Sequence, residues 1–296
     1  MNINLSKWME KINDERSILS LDIPGAHDCA ANFIHMARMS KCQNTDIYGL
    51  LSLGIRALDV RVALRDNKLI LVHGVHRAFI SPDKDARPLE IDDIIKQIKR
   101  FLSENPNETV IFQFKNDNEK HMEDCFDILY DRYIAKENKL WFTENRIPQI
   151  GEVRGKIVLF RRCEMYSVNK KYSPDCAGID LSRWVNQENL VPESLILSTH
   201  SRDKTEFIIQ DRYNYSPKPR WRKCVEPFLS ERKPFDGKGI LCYLSTAGGL
   251  LGPEKNADYM NAKFLSYPLK KENCYGILYF DFPTKEITKK VIENNL

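Results

Sequence analysis

The stretch Gly54-Ile55-Arg56-Ala57-Leu58-Asp59-Val60-Arg61-Val62 decides the fold. It is strand-sized, and strand alternation places Ile55, Ala57, Asp59 and Arg61 on one face. Two charges close a run that is otherwise apolar on that face. A charge at the end of a buried strand is costly unless it is paired or faces a cavity. The same ending recurs along the chain: His73 shares a face with Leu69 and Leu71, Lys115 ends a run, Arg161 with Arg162 ends another, and Asp281 shares a face with Ile277 and Tyr279. In a parallel barrel the C-terminal strand ends converge on one site, so this pattern predicts a polar cluster at the mouth of an apolar barrel.

Working outward, apolar runs of strand length occupy residues 17–23, 55–62, 69–73, 109–115, 156–161, 207–211, 239–244 and 275–281. Amphipathic stretches separate several of them. The clearest is 88–105, where Ile91, Ile94, Ile95, Ile98 and Leu102 recur at helical spacing and Asn105-Pro106 stops the helix. Residues 121–133 and 287–296 are further helices by the same reading. Strands alternating with helices predict an α/β fold, a single (β/α)8 TIM-type barrel over residues 1–296, with a doubly wound sheet as its rival. Residues 163–206 do not read as a regular repeat, so the barrel should be distorted there.

A chain of 296 residues can bury a large core without staples. Its 45 basic and 41 acidic side chains leave a net charge of +4, which suits an anionic surface and is far from a nucleic-acid-binding signature. No apolar stretch is long enough to span a membrane. The eight cysteines are scattered without a CxxC pair, which argues against zinc and fits a reducing compartment better than a disulfide framework. The opening MNINLSKWMEKI lacks the apolar core of a secretory signal.

The chemistry is carried by Leu21–Ala31, LDIPGAHDCAA, which sets His27 and Asp28 after a strand and a Pro24-Gly25 turn. A second histidine, His73, arrives in LVHG. Two histidines with carboxylate partners form an acid–base pair, and Arg61 adds a fixed cation with forked donors suited to phosphate oxygens. Together they describe phosphodiester cleavage without a metal.

These motifs resemble those of the X-domain phosphatidylinositol phospholipases C, in particular the bacterial, metal-independent branch. The resemblance runs through SKWMEKI, IPGAHD, GIRALDVR, LVHG, FLSENPNETVIFQFK, GKIVLFRR, IIQDRY and GILYFDF, in order along nearly the whole chain. It implies a distorted barrel and attack of the inositol 2-hydroxyl on phosphorus, giving diacylglycerol and inositol 1,2-cyclic phosphate. By motif position, His27 would be the general base, held by Asp281. His73 would be the general acid, supported by Asp28, and Arg61 would stabilise the phosphoryl charge. Lys115, Arg162, Asp211 and Tyr213 match inositol-binding positions, with Tyr213 as a stacking face. The calcium-dependent branch carries an asparagine after its first histidine. Here Asp28 and Arg61 stand instead, so no metal and no cofactor are expected. Ala26 and Cys29 depart from the usual small hydroxyl residue and serine, and neither change removes a group the mechanism needs.

The resemblance further implies a peripheral partner, an inositol phospholipid at a membrane surface, with no nucleic acid and a monomeric chain. It favours a secreted or host-delivered protein, while the missing signal is compatible with the cytoplasm. Taken singly, the residues have plainer readings. His27 could be a turn residue, His73 a satisfied core histidine with His76 as a rival acid, and Lys115 a salt-bridge partner. Asp59 reads as structural, paired with Arg56 or Arg61. His35, His121 and His200 read as surface residues, and 216–223, SPKPRWRK, as a solvated loop or a lipid contact. A metal-dependent glycerophosphodiesterase or sphingomyelinase-D-like barrel is the rival enzyme, and a non-catalytic inositol-lipid-binding module the rival of another class.

Overall fold

The structure is a computed structural model and describes residues 3–117, 122–163, 172–199 and 204–296. Among the described residues, twelve strands make one mixed sheet. They are β1 (Ile23–Ala26), β2 (Ala57–Arg65), β3 (Lys68–His73), β4 (His76–Arg77), β5 (Val110–Asn116) and β6 (Trp141–Phe142). The second half supplies β7 (Ile157–Arg161), β8 (Ile179–Asp180), β9 (Leu195–Ser198), β10 (Glu206–Gln210), β11 (Gly239–Tyr243) and β12 (Ile277–Phe280).

Parallel ladders run β7-β5-β2-β1-β12-β11-β10. Two short strands flank β7: β6 pairs with its N-terminal end at Trp141↔Ile157 and β8 with its C-terminal end at Arg161↔Asp180. The sheet is therefore TIM-barrel-like but not closed. Among the described residues no ladder joins β6 or β8 to β10, and β9 pairs antiparallel with β10. At that seam the Gln187 side chain donates to the Ile209 carbonyl at 3.2 Å and accepts from the Asp211 N–H. One side-chain amide thus satisfies backbone groups that a ladder would otherwise serve. The seam lies in the stretch 163–206, where the sequence predicts irregularity.

The interior is built by alternation. Ile23, Ala57, Ile111, Val158, Phe207, Leu241 and Ile277 share one apolar cluster inside the sheet. Leu58, Val60, Val62, Phe112, Phe114 and Leu159 pack on the opposite face, against Ile91, Ile94, Ile95, Ile98, Phe101 and Leu102 of the helix Ile91–Glu104. That helix has the predicted stripe and is opened by a reciprocal Glu90/Asp93 capping box. The other two predicted helices appear as Met122–Leu129 and Lys285–Glu293.

Three expectations are corrected. The first strand is not 17–23: Ser17 accepts the Leu19 N–H and starts a 3₁₀ turn over Ile18–Ser20, and the strand is Ile23–Ala26. Pro24 and Gly25 therefore lie in the strand and not in a turn. Gly25 is required there because a Cβ would meet Tyr279 Cδ1 at 2.7 Å. Residues 69–73 form no parallel barrel strand. Asp66 and Asn67 take φ of 49° and 58°, the two left-handed residues of a tight hairpin, and β3 returns antiparallel along β2. Finally, 216–223 is not a solvated loop. It is helical over Pro217–Val225, with Arg220 and Trp221 buried.

Candidate active site

Each inward-facing series runs from apolar to polar toward the C-terminal mouth. His27 follows β1, Arg61 lies on β2, Lys115 ends β5, Arg162 follows β7, Asp211 follows β10, Ser245 follows β11 and Asp281 follows β12. All seven line one cavity of about 1510 Å³, together with His73 and Tyr213. Of the catalytic and inositol-binding residues that the resemblance implies, Asp28 alone is not on the wall. It is buried just behind it.

Asp28 sits at the junction. Its Oδ2 lies 3.3 Å from His27 Nε2, 3.4 Å from His73 Nε2 and 3.2 Å from Arg61 Nη1. Its φ of 41° is left-handed, which an aspartate tolerates better than most residues. Phe282, the residue after Asp281, is also left-handed at 47°. Such conformations cluster at functional sites, where the surroundings hold them. The imidazoles of His27 and His73 meet edge to face with centroids 5.9 Å apart. His27 Nδ1 lies 2.6 Å from Asp281 Oδ1, and His73 Nδ1 lies 2.9 Å from the Ser40 carbonyl. A carbonyl can only accept, so His73 carries its proton on Nδ1 there and turns Nε2 toward Asp28. His73 and not His76 reaches the cavity wall; His76 pairs with His73 across the β3–β4 turn.

Burial pulls the His27 imidazole down, but Asp281 and Asp28 outweigh both burial and Arg61 and hold it up at about 9. In the free site His27 therefore keeps its proton, which must leave before the ring can accept another. Burial raises the Asp28 carboxyl, opposed by Arg61, His73 and His27. Arg61 is held above its ordinary range: burial works against it, and Asp28, Asp59 and Asp117 prevail. Asp59 pairs with Arg61 at 2.9 Å and not with Arg56, which pairs with Glu108.

Lys115 Nζ lies 2.5 Å from Asp117 Oδ1, so it is a salt-bridge partner that also faces the cavity. Burial and Arg61 lower its pKa. Arg162 stacks on Trp184 at 3.8 Å and approaches Asp211 at 3.7 Å, and its Nη1 is buried without a hydrogen-bond partner among the described residues. The adjacent Arg161 turns the other way, into a buried pair with Asp180 at 2.9 Å.

Sequence reasoning missed several residues. Asp117 binds Lys115 and accepts the Gly74 N–H at 2.6 Å, fixing the turn beside His73. Arg61 and Lys115 hold its carboxyl well below the usual range despite burial. The rule that found Asp281, an acid just past a strand end, applies equally to Asp117. Beneath the histidines, Gln113 donates to Asp59 at 3.1 Å and to the Tyr243 hydroxyl at 2.6 Å, and Tyr243 stacks on Tyr279 at 4.5 Å. Trp184 and Cys42 lie in irregular segments that periodicity does not reach. His35 is exposed as expected, whereas His121 and His200 lie outside the described residues.

Residues 30–163 match the family model for the X domain of phosphatidylinositol-specific phospholipase C. A 1-phosphatidylinositol phosphodiesterase of Listeria monocytogenes is 27% identical to this chain over 310 residues, covering 99% of this chain and 86% of the relative. One from Staphylococcus aureus is 26% identical over 278 residues, covering 89% and 82%. A solved structure of the S. aureus phosphatidylinositol-specific phospholipase C superposes with a TM-score of 0.78 at 22% identity, covering 99% of this chain and 98% of that one. The L. monocytogenes enzyme gives 0.71 at 24% identity, covering 99% and 100%. These structures share this chain's fold.

Proposed function

We propose that this chain is a phosphatidylinositol-specific phospholipase C that forms diacylglycerol and inositol 1,2-cyclic phosphate without a metal, and that residues 1–296 are one catalytic domain. The observation that carries the reading is the juxtaposition of His27, His73 and Arg61 around Asp28 at the foot of one open cavity. His27, oriented by Asp281, takes the proton of the inositol 2-hydroxyl. The hydroxyl oxygen bonds to phosphorus, and the bond from phosphorus to the diacylglycerol oxygen breaks. His73 then protonates that oxygen. Arg61, fixed by Asp59 and Asp28, neutralises charge on the phosphoryl oxygens, and such fixed donors commonly carry the largest share of catalysis. Lys115, Arg162 and Asp211 offer donors and acceptors to the ring hydroxyls, and Tyr213 offers an aromatic face.

The membrane contact falls to the cavity rim. Met39 and Val185 line it and are exposed, and Leu250 and Leu251, 92% and 63% exposed, stand between the rim residues Gly249 and Gly252. No helix among the described residues is long and apolar enough to cross a membrane. Burying one leucine is worth about 1.5–3 kcal/mol. Leu250→Glu with Leu251→Glu should therefore weaken sedimentation with inositol-lipid vesicles by about tenfold or more, and spare turnover of a short-chain, monomeric substrate.

The deciding experiment follows phosphatidylinositol vesicles in excess EDTA by phosphorus NMR. Cyclic phosphate is the expected product. Product only after calcium or magnesium is added would favour a metal-dependent phosphodiesterase, and binding without any turnover would favour a lipid-binding module.

A further inference from the structure

Cys42 is a buried thiol at this centre that the proposed reaction does not use. It lies on the loop between Asp28 and β2, is fully buried as a residue, and still lines the cavity. Its Sγ is 3.7 Å from His73 Nδ1, and its backbone carbonyl accepts the Phe282 N–H beside Asp281. One ligand atom each from Cys42, His27 and Asp28 lie within 4.8 Å of one another. Zinc bonds of about 2.0–2.3 Å place tetrahedral ligands roughly 3.3–3.8 Å apart, so these groups need close by only about an ångström. His73 Nε2, 3.4 Å from Asp28 Oδ2, is near enough to complete the set.

We propose that Cys42, His27 and Asp28 form a capture site for a soft divalent cation, zinc or cadmium, which shuts the catalytic centre by occupying it. The occupancy requires only these side chains; the loss of activity rests on the function proposed above. The donor set decides the class of ion. One thiolate, one imidazole and a single carboxylate suit zinc or cadmium, whereas calcium needs six to eight oxygens and magnesium an octahedron of them. Asp281 on His27 Nδ1 supplies the carboxylate behind a ligating imidazole that orients such rings. On binding, a metal–sulfur and a metal–nitrogen bond form while the thiol proton and the proton on the ligating nitrogen leave to solvent. A dication enters as two protons depart, so the charge beside Arg61 is unchanged.

The experiment uses the full chain carrying Cys176→Ser, since Cys176 is the exposed cysteine and would bind metal by itself. After treatment with chelator, cadmium is titrated and the ultraviolet thiolate-to-cadmium absorbance is read. One equivalent should saturate the signal, zinc should displace it, and calcium and magnesium should not. Cys42→Ser should abolish the signal, and Asp28→Asn, an independent variant, should weaken it at least tenfold. Turnover is then compared with each variant's own cation-free rate. Micromolar zinc should inhibit the parent at least tenfold, reversibly with EDTA, and leave Cys42→Ser unaffected. A chain with no stoichiometric absorbance, or with inhibition unchanged by Cys42→Ser, would sink the proposal. Absence of turnover in EDTA would count against the phospholipase reading alone, because the absorbance needs no substrate.

Discussion

Two arginines, one just before β2 and one midway along it, are buried for opposite reasons. Arg56, just before the strand, is fully enclosed. It pairs with Glu108 at 2.7 Å and donates to the carbonyls of Leu51, Ile55, Leu5 and Ser6. Phe101 packs on its guanidinium at 4.6 Å and Trp8 lies nearby. Nothing is left over for a ligand, and Arg56 ties the N-terminal segment Leu5–Lys11 to the closed end of the barrel. Arg61, five residues on, is held by Asp59 and Asp28 but faces the cavity with a side chain 12% exposed. The same residue type, five residues apart, is a plug in one place and a tool in the other. The difference lies in whether donors remain for something that arrives later.

The comparison can be broken in order of expected effect. His27→Ala should lower cyclic-phosphate formation by about 10²–10⁴-fold, the usual worth of a positioned acid or base, with the fold retained by circular dichroism. Arg56→Met leaves Glu108 buried without its partner and should cost about 3–5 kcal/mol in urea unfolding, while turnover per folded molecule is unchanged. Arg61→Lys keeps the charge but loses the fork. It should reduce kcat/KM about 10²-fold and move the unfolding midpoint less than Arg56→Met does. If Arg61→Lys instead unfolded the chain with activity intact, the two arginines would have exchanged roles.

The smallest effect is expected at the closed end. Asp22 accepts the N–H groups of Tyr275 and Gly276 and the Asn294 amide, yet burial raises its carboxyl to about 6. A folded-state value above the unfolded one gives stability that is complete below about pH 4 and is lost as pH rises through 6. Urea midpoints measured from pH 4 to 7 should fall in that window for the parent and stay flatter for Asp22→Asn.

Much of this was legible before the fold was known, because alternation is a physical constraint. Once Asp59 and Arg61 share a face with Ala57, a strand buried on both sides must point them inward, and the same holds for Lys115 and Asp281. The resemblance supplied the pairing of histidines that no spacing dictates. What escaped was set by turns. His73 was expected on a parallel strand, and Asp66-Asn67 instead sends it back antiparallel to the same rim. The Pro24-Gly25 pair looked like a turn because its reason, the Tyr279 ring lying against Gly25, is a contact across the sheet. Cys42 and Trp184 sit where no period exists, and tertiary packing alone brings them to the cavity.

The hairpin at Asp66-Asn67 leaves the second histidine subject to a rule of parity. His73 ends β3 and its ring lines the cavity, and the register Val62↔Leu71 is counted from that two-residue turn. Two residues added between the turn and His73 would preserve the facing of its ring and shift it along the rim. One added residue would turn it outward while the fold stayed whole. In a lineage built on this scaffold, a single codon gained or lost in so short a loop could silence the enzyme and spare the protein.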